Sequence, residues 1–238
     1  MGNFLFQAAA AMSYAWDHGL DFTMPKKEES TDLFWSPIYL PHLVNPTWNP
    51  TLPKITIEEK QFHFNPIPFK REWKDCNILL DGYWQSEKYF KHYREELLQK
   101  FGFPWECKTG TVSVHVRRGD YLRLVKKHPY VGVAWIDSQM EKFPDCVFKF
   151  YSDDIAWCKA TFGMRKNCLF SEGRTPEQDL IKMSCCEHHI CSASTFSWWG
   201  AWLNRNQNKR VILPKQWFVA GHGGLDTRDI VPVEWERV

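Results

Sequence analysis

The chain has no long hydrophobic run. Its longest apolar stretch near the start, Phe4 to Ala15, is interrupted by Gln7 and Ser13 and is too short to cross a bilayer. The basic start and small-residue cleavage site of a signal peptide are missing as well. Stable membrane insertion is therefore not expected, and a cytoplasmic location is. Nor does either sign of charge dominate: 30 Lys and Arg against 28 Asp and Glu leave a net charge of +2, scattered along the chain. That gives no global field to draw in nucleic acid, so any anion must be held locally. The eight cysteines lack regular spacing, and free thiols are expected. The run Cys185-Cys186-Glu187-His188-His189-Ile190-Cys191 lacks the paired two-residue spacers of structural zinc sites. A helix-to-strand switch is expected to run through it and point its members apart, so no metal site is expected there. Internal repeats and low-complexity tracts are absent.

What the chain does have is aromatic side chains, at 16% with 13 Trp, in 238 residues of otherwise ordinary globular composition. A Trp-rich core and a carbohydrate site, where flat rings suit the C–H faces of sugars, both fit. Composition does not choose between them.

Periodicity organises the C-terminal half. Val112, Val114 and Val116 alternate with Ser113, His115 and Arg117, which predicts a strand. A helix follows around 135–143, then a strand over 146–151 and a helix over 155–162. Further strands are expected at 167–170, 189–192 and 211–213. Thr175-Pro176-Glu177-Gln178 combines an N-cap, a first-turn proline and a capping box, predicting a helix from there to about Glu187. Another helix opens at Ser194. Alternating strands and helices predict an α/β fold with a parallel sheet, whose ligands bind beyond the carboxyl ends of the strands. The first half is less regular. A helix is expected from Leu5 to Asp17 with Gly19 as its stop, then a short strand around Asp21–Met24. Residues 25–75 show no periodicity; a strand over 76–80 and a helix over 87–101 follow.

Three strand ends deliver polar groups to one edge: His115 with Arg117, Asp153 with Asp154, and Ser194 with Thr195. On a strand, His115 and Arg117 point the same way, roughly 6.6 Å apart. The planar fork of Arg117 suits a pyrophosphate, since it binds two oxygens at once and keeps its charge. For Arg118 and Asp120, a surface ion pair is an equal alternative to a site role. Ser194, Thr195, Phe196 and Ser197 form a helix start, which caps the helix and also offers N–H groups to an anion. Asp153 is read first as a receptor for the two N–H groups of guanine, Asp154 first as a helix cap, and metal ligation ranks last for both.

These blocks also carry a resemblance. Gly2-Asn3-Phe4-Leu5-Phe6-Gln7, Asp81-Gly82-Tyr83-Trp84-Gln85-Ser86-Glu87, His115-Val116-Arg117-Arg118-Gly119-Asp120, Tyr151-Ser152-Asp153-Asp154 and Ser194-Thr195-Phe196-Ser197-Trp198-Trp199-Gly200-Ala201-Trp202 resemble, in order, those of the α-1,2-fucosyltransferases, glycosyltransferase family eleven. The resemblance implies a GT-B-type fold of two Rossmann-like lobes: an acceptor-side lobe over 1–108 and a GDP-sugar-binding lobe over 109–238. It implies GDP-fucose as donor, a glycan as acceptor, inversion at C1, and no metal or other cofactor. By position, Arg117 would hold the β-phosphate and His115 would lie against the nucleotide. Asp153 would read guanine, and Ser194, Thr195 and Phe196 would line the pyrophosphate, with Ser197 completing the helix start. Gly2 and Asn3 would approach the donor from the N-terminal lobe. Members of the family have a short strand ahead of the Gly-Asn block, whereas here Met1 directly precedes Gly2. Either the chain is truncated or that lobe is reduced.

The expected reaction is transfer of L-fucose to a glycan hydroxyl, the 2-OH of a galactose-like residue. Charge growing on the β-phosphate would be met by Arg117 and the helix start. Asp120 and His115 are the candidates for a general base, and neither is singled out. Three other readings stay open: another GDP-linked deoxyhexose such as rhamnose, a catalytically silent GDP-sugar- or glycan-binding module, and a metal-dependent transferase using Asp153 and Asp154.

Overall fold

The computed structural model describes residues 1–23, 49–101, 106–219 and 224–238. The chain divides into two compact units. One comprises Met1, Asn3–Phe103 and Leu225–Pro232; the other comprises Gly2, Pro104–Gly224 and Val233–Val238.

The second unit is an α/β structure on a six-stranded, wholly parallel sheet. Its strands are β3 (Lys108–Val116), β4 (Val147–Ser152), β5 (Cys168–Phe170), β6 (Cys186–Ile190), β7 (Val211–Leu213) and β8 (Glu236–Arg237), in the order β5-β4-β3-β6-β7-β8. The chain runs outward from β3 in one direction, then returns to β3 and runs outward in the other. That reversal lies between β3 and β6, the kind of switch point that leaves a crevice past the carboxyl ends of the strands. Helices α3 (Val133–Met140), α4 (Ile155–Phe162), α5 (Pro176–Ser184) and α6 (Thr195–Trp202) make the crossovers. Val112, Val114 and Val116 are fully buried in one core with Phe148, Phe150, Phe162, Ile190 and Ile212. The opposite parity of β3, Ser113 and His115, is buried too, which marks a strand covered on both sides.

Local chemistry explains most of these elements. Thr175 and Gln178 form the reciprocal capping box at the start of α5, with Pro176 in the first turn. That helix stops at Ser184, earlier than the sequence reading, and β6 starts at Cys186, not His189. Lys108 donates to the Cys185 carbonyl at 2.8 Å, and residues 186–190 are drawn into pairing with β3, which overrides helix continuation. In α6, Trp198 and Trp199 are wholly buried, and Trp198 packs against Trp202 and Trp235. For this Trp-rich block, the core reading is the one realised. All eight cysteines are free thiols.

The first unit holds α1 (Gly2–His18), which Gly19 ends in a left-handed conformation at φ 63°. Asp21–Thr23 do not form the expected strand, and Met24 and residues 25–48 lie outside the described residues. The segment read as irregular contains β1 (Lys54–Glu58), paired in parallel with β2 (Asn77–Asp81). Its five residues alternate in exposure, but charge at both ends hides that pattern in the sequence. The expected helix over 87–101 is two short 3₁₀ turns followed by α2 (Arg94–Phe101). Phe90 breaks it at φ −146°, ψ −1°, where its ring is fully buried beside Phe6.

Candidate active site

The end of β3 is tied to the segment that leads from β6 into α6. The Arg117 N–H donates to the Ser192 hydroxyl at 3.0 Å, and that hydroxyl donates to the His115 carbonyl at 2.8 Å. Tyr121 donates its phenolic hydrogen to the Ala193 carbonyl at 2.8 Å. Ser194 caps α6 by accepting from the Phe196 N–H at 3.4 Å, and the Ser197 hydroxyl reaches the carbonyls of Ser192 and Ser194, each at 3.1 Å. Thr195 is the first residue of the helix. His115, Arg117 and Ser194–Ser197 therefore converge at the switch point. Ser192 and Tyr121 complete the join; neither was singled out in the sequence, although Ser192 stands two places before Ser194 in the same hydroxyl-rich run.

His115 is 5% exposed, and its ring lies 5.5 Å from that of Phe196. Burial, with the Arg117 charge adding to it, pushes the imidazole pKa down to about 3. The ring is therefore neutral at physiological pH and a poor proton acceptor, although its Nδ1 is buried without a hydrogen-bond partner.

Arg117 does not stand alone. Its Nε and one terminal nitrogen donate to the same Asp120 oxygen at 2.9 and 2.8 Å, and the other terminal nitrogen lies 3.2 Å from Asp153. The ion pair suggested between Arg118 and Asp120 is not formed. The turn at Gly119 brings Asp120 back to Arg117, while Arg118 runs the other way onto Asp154 at 3.0 Å. The Arg118 guanidinium lies 3.8 Å from the centre of the Trp157 ring and donates to the Tyr130 hydroxyl at 2.6 Å. Asp154 also caps α4 by accepting from the Trp157 N–H at 3.1 Å, as its position in the sequence suggested. Arg118, with the N–H of Trp157 adding to it, holds the Asp154 carboxyl below its usual range.

Asp153 accepts from the backbone N–H of Arg118 at 2.9 Å with one oxygen and faces Arg117 with the other. A Cβ on Gly119 would lie 2.5 Å from that second oxygen, so the close approach requires glycine. Two guanidinium groups against three carboxylates leave this cluster with a formal charge of −1. An anion can settle here by taking over donors that Asp120 or Asp153 now hold or by using the Arg117 N–H bonds they leave, with help from the N–H groups of α6.

Residues 52–235 match the family described as glycosyl transferase family 11. The chain belongs to that family. Among the family's relatives, an α-1,2-colitosyltransferase from Escherichia coli is 32% identical, over 91% of this chain and 79% of its own length. The O-antigen biosynthesis glycosyltransferase WbnK, also from Escherichia coli, is 33% identical over 50% of this chain and 43% of its own. A galactoside α-(1,2)-fucosyltransferase 2 from Oryctolagus cuniculus is 25% identical over 85% of this chain and 64% of its own. The chain thus spans less than half of WbnK and under two thirds of the rabbit enzyme. Among solved structures, POFUT1 in complex with GDP aligns over 61% of this chain and 56% of its own at 12% identity. The TM-score of 0.37 is too low to bear on the fold.

Of the other sequence-identified residues of this family 11 chain, Gly2 opens α1 and groups with the second unit, whereas Asn3 groups with the first. There the Asn3 side-chain oxygen accepts from Gln85 at 3.1 Å. Among the described residues, no three His, Cys, Asp or Glu side chains lie together as a metal site would require. The Cys185–Cys191 run is split between the end of α5, β6 and the loop after it. Its His189 is buried between Ser113 and Asn204, at 2.7 Å from each. Among the described residues, no helix is long and apolar enough to cross a membrane.

Proposed function

We propose that this family 11 chain transfers L-fucose from GDP-fucose to a hydroxyl of a glycan, the 2-OH of a galactose-like residue, with inversion at C1 and no metal. The observation that carries the reading is the tie through Ser192, which joins the strand end bearing Arg117 to the N-terminus of α6 at a parallel-sheet switch point. The order of the six strands, counted from β3, is that of Rossmann-type nucleotide sheets, which supports a GT-B-type arrangement of two lobes.

In this mechanism the acceptor oxygen attacks C1 while the C1–O bond to the β-phosphate breaks on the opposite face, and the hydroxyl proton passes to water. Negative charge grows on the departing GDP. Arg117 meets it after exchanging Asp120 for phosphate oxygens, a change eased because both side chains are partly exposed, at 35% and 43%. The N–H groups at the start of α6 supply the second contact. Asp153, held by the Arg118 N–H and facing Arg117, keeps that guanidinium in place and lies too near it to read the guanine of the same nucleotide. The low basicity of His115 leaves it to line the nucleotide, not to take a proton.

A second reading keeps the chemistry and changes the sugar, since the 32% identical relative is named for colitosyl transfer. One experiment tests both: calorimetric binding of guanine, uridine and adenine diphosphates, with and without EDTA. Turnover of GDP-fucose and GDP-linked colitose on a galactose-terminated acceptor completes it. Guanine-selective binding with EDTA-insensitive transfer is expected, and the preferred donor decides the sugar. Binding without glycan product, or transfer abolished by EDTA, overturns the proposal.

A further inference from the structure

The Asp81–Glu87 block is absorbed by none of this chemistry, yet among the described residues it holds the one non-glycine residue with a positive φ. β1 and β2 are parallel and in register to Glu58 and Asp81, so Glu59 and Gly82 leave the sheet side by side at its carboxyl edge. There the Glu59 carboxylate accepts the Tyr83 N–H at 2.7 Å. A Cβ on Gly82 would lie 2.3 Å from the Glu59 Cβ, so the turn closes on the carboxylate with no room for another side chain. Two residues on, Trp84 is held at φ 54°, the left-handed region that a bulky residue occupies at a cost of about 1–3 kcal/mol. Its Nε1 and the second Glu59 oxygen are buried without hydrogen-bond partners. Burial pushes the Glu59 carboxyl up, against the opposing pull of the Trp84 and Tyr83 N–H groups.

All of this expense holds one side chain outward. Tyr83 is 46% exposed, and its ring stacks on Phe62 at 5.7 Å and 22°. A rigid ring pair at the carboxyl edge of parallel strands offers a flat apolar face of the size of one pyranose, with a phenolic hydroxyl at its margin. Strain of this kind gathers where a ligand must be met by a fixed surface.

We propose that this edge is the seat of the acceptor sugar: the C–H face of a pyranose stacks on Tyr83, and Glu59 is the positioning residue that fixes the turn. The proposal rests on the glycosyltransferase reading above for the class of its ligand, and on the first unit alone for its place. The test uses the full chain with two readouts: saturation-transfer NMR against a panel of free mono- and disaccharides including lactose, and calorimetry with GDP.

Tyr83→Ala is expected to weaken saccharide binding ~10-fold, about the worth of one aromatic stack, with GDP affinity unmoved; Tyr83→Phe should stay near wild type. Glu59→Ala should reproduce Tyr83→Ala, and Glu59→Gln, whose amide oxygen still accepts the Tyr83 N–H, should restore binding. Unchanged saccharide binding in a folded Tyr83→Ala protein overturns the proposal. So does a parallel loss of GDP affinity, which would mark general damage. If the wild-type chain binds GDP but no saccharide of the panel, the subsite falls and the donor reading stands. If it binds saccharide but not GDP, the reverse holds.

Discussion

At the carboxyl edge of the six-stranded sheet, two guanidinium groups face three carboxylates, Arg117 taking two of them and Arg118 the third. At the corresponding edge of the two-stranded sheet, the Glu59 carboxylate is gripped by the backbone N–H groups of Tyr83 and Trp84, beside the stacked rings of Tyr83 and Phe62. The first arrangement is exchangeable. Partly exposed ion pairs are worth about 0–1 kcal/mol each, so an anionic ligand can replace a carboxylate at little cost. The second is fixed, because rings and a strained turn have no alternative partner to move to. The contrast suits the two halves of a transfer: one surface must accept a changing charge, and the other must hold a neutral shape still.

The largest test of that division is Arg117→Lys. A lysine keeps the charge but loses the fork, and kcat should fall ~100- to 1,000-fold, nearly as far as in Arg117→Ala, with acceptor KM unmoved. An equal rise in acceptor KM would show that the two edges are not separable. Acid should also act on the six-stranded unit. His115 and His189 are both buried there as neutral rings, their pKa values lowered chiefly by burial, from 6.5 to about 3. The unfolded chain takes up protons near pH 6.5 that the folded chain refuses until about pH 3. The stability tied to these rings is therefore complete above 6.5 and is lost progressively as pH falls toward 3. Urea midpoints followed by tryptophan fluorescence should drop from pH 7.5 to pH 5; a flat profile would mean that the rings titrate normally.

A smaller effect is expected from Gly119→Ala. Its methyl group must displace the Asp153 carboxylate from the Arg118 N–H, a charge-assisted hydrogen bond worth ~1.5–3 kcal/mol that fixes this turn beside Arg117. Calorimetry should show GDP affinity down about tenfold and saccharide binding intact. Least of all, Thr175→Ala removes the capping box of α5 and should cost about 1 kcal/mol in urea unfolding, with no change in either ligand.

Legibility in the sequence followed the range of the forces involved. The bounds of α4, the capping box at Thr175 and the Asp154 cap were readable because each is written within four neighbouring residues. The parallel sheet was readable because strands alternate with helices along the C-terminal half, β3 among them marked by its alternating valines. Register and partner choice were not. Which aspartate Arg117 takes depends on the path of the turn at Gly119, and the start of β6 depends on where β3 needs a partner. The break at Phe90 was hidden because a buried ring, not a helix-breaking residue, bends the chain there. β1 went unseen because three of its five residues face solvent.

The first unit is not a continuous length of chain. Asp229, more than a hundred residues beyond α2, accepts from the Phe64 backbone at 3.0 Å and pairs with Lys88 at 2.5 Å, and Asp226 faces His63 at 3.4 Å. During synthesis, His63, Phe64 and Lys88 must therefore wait for Asp226 and Asp229 before these contacts can close. A unit begun ahead of the six-stranded sheet thus closes only after five of that sheet's strands have been made.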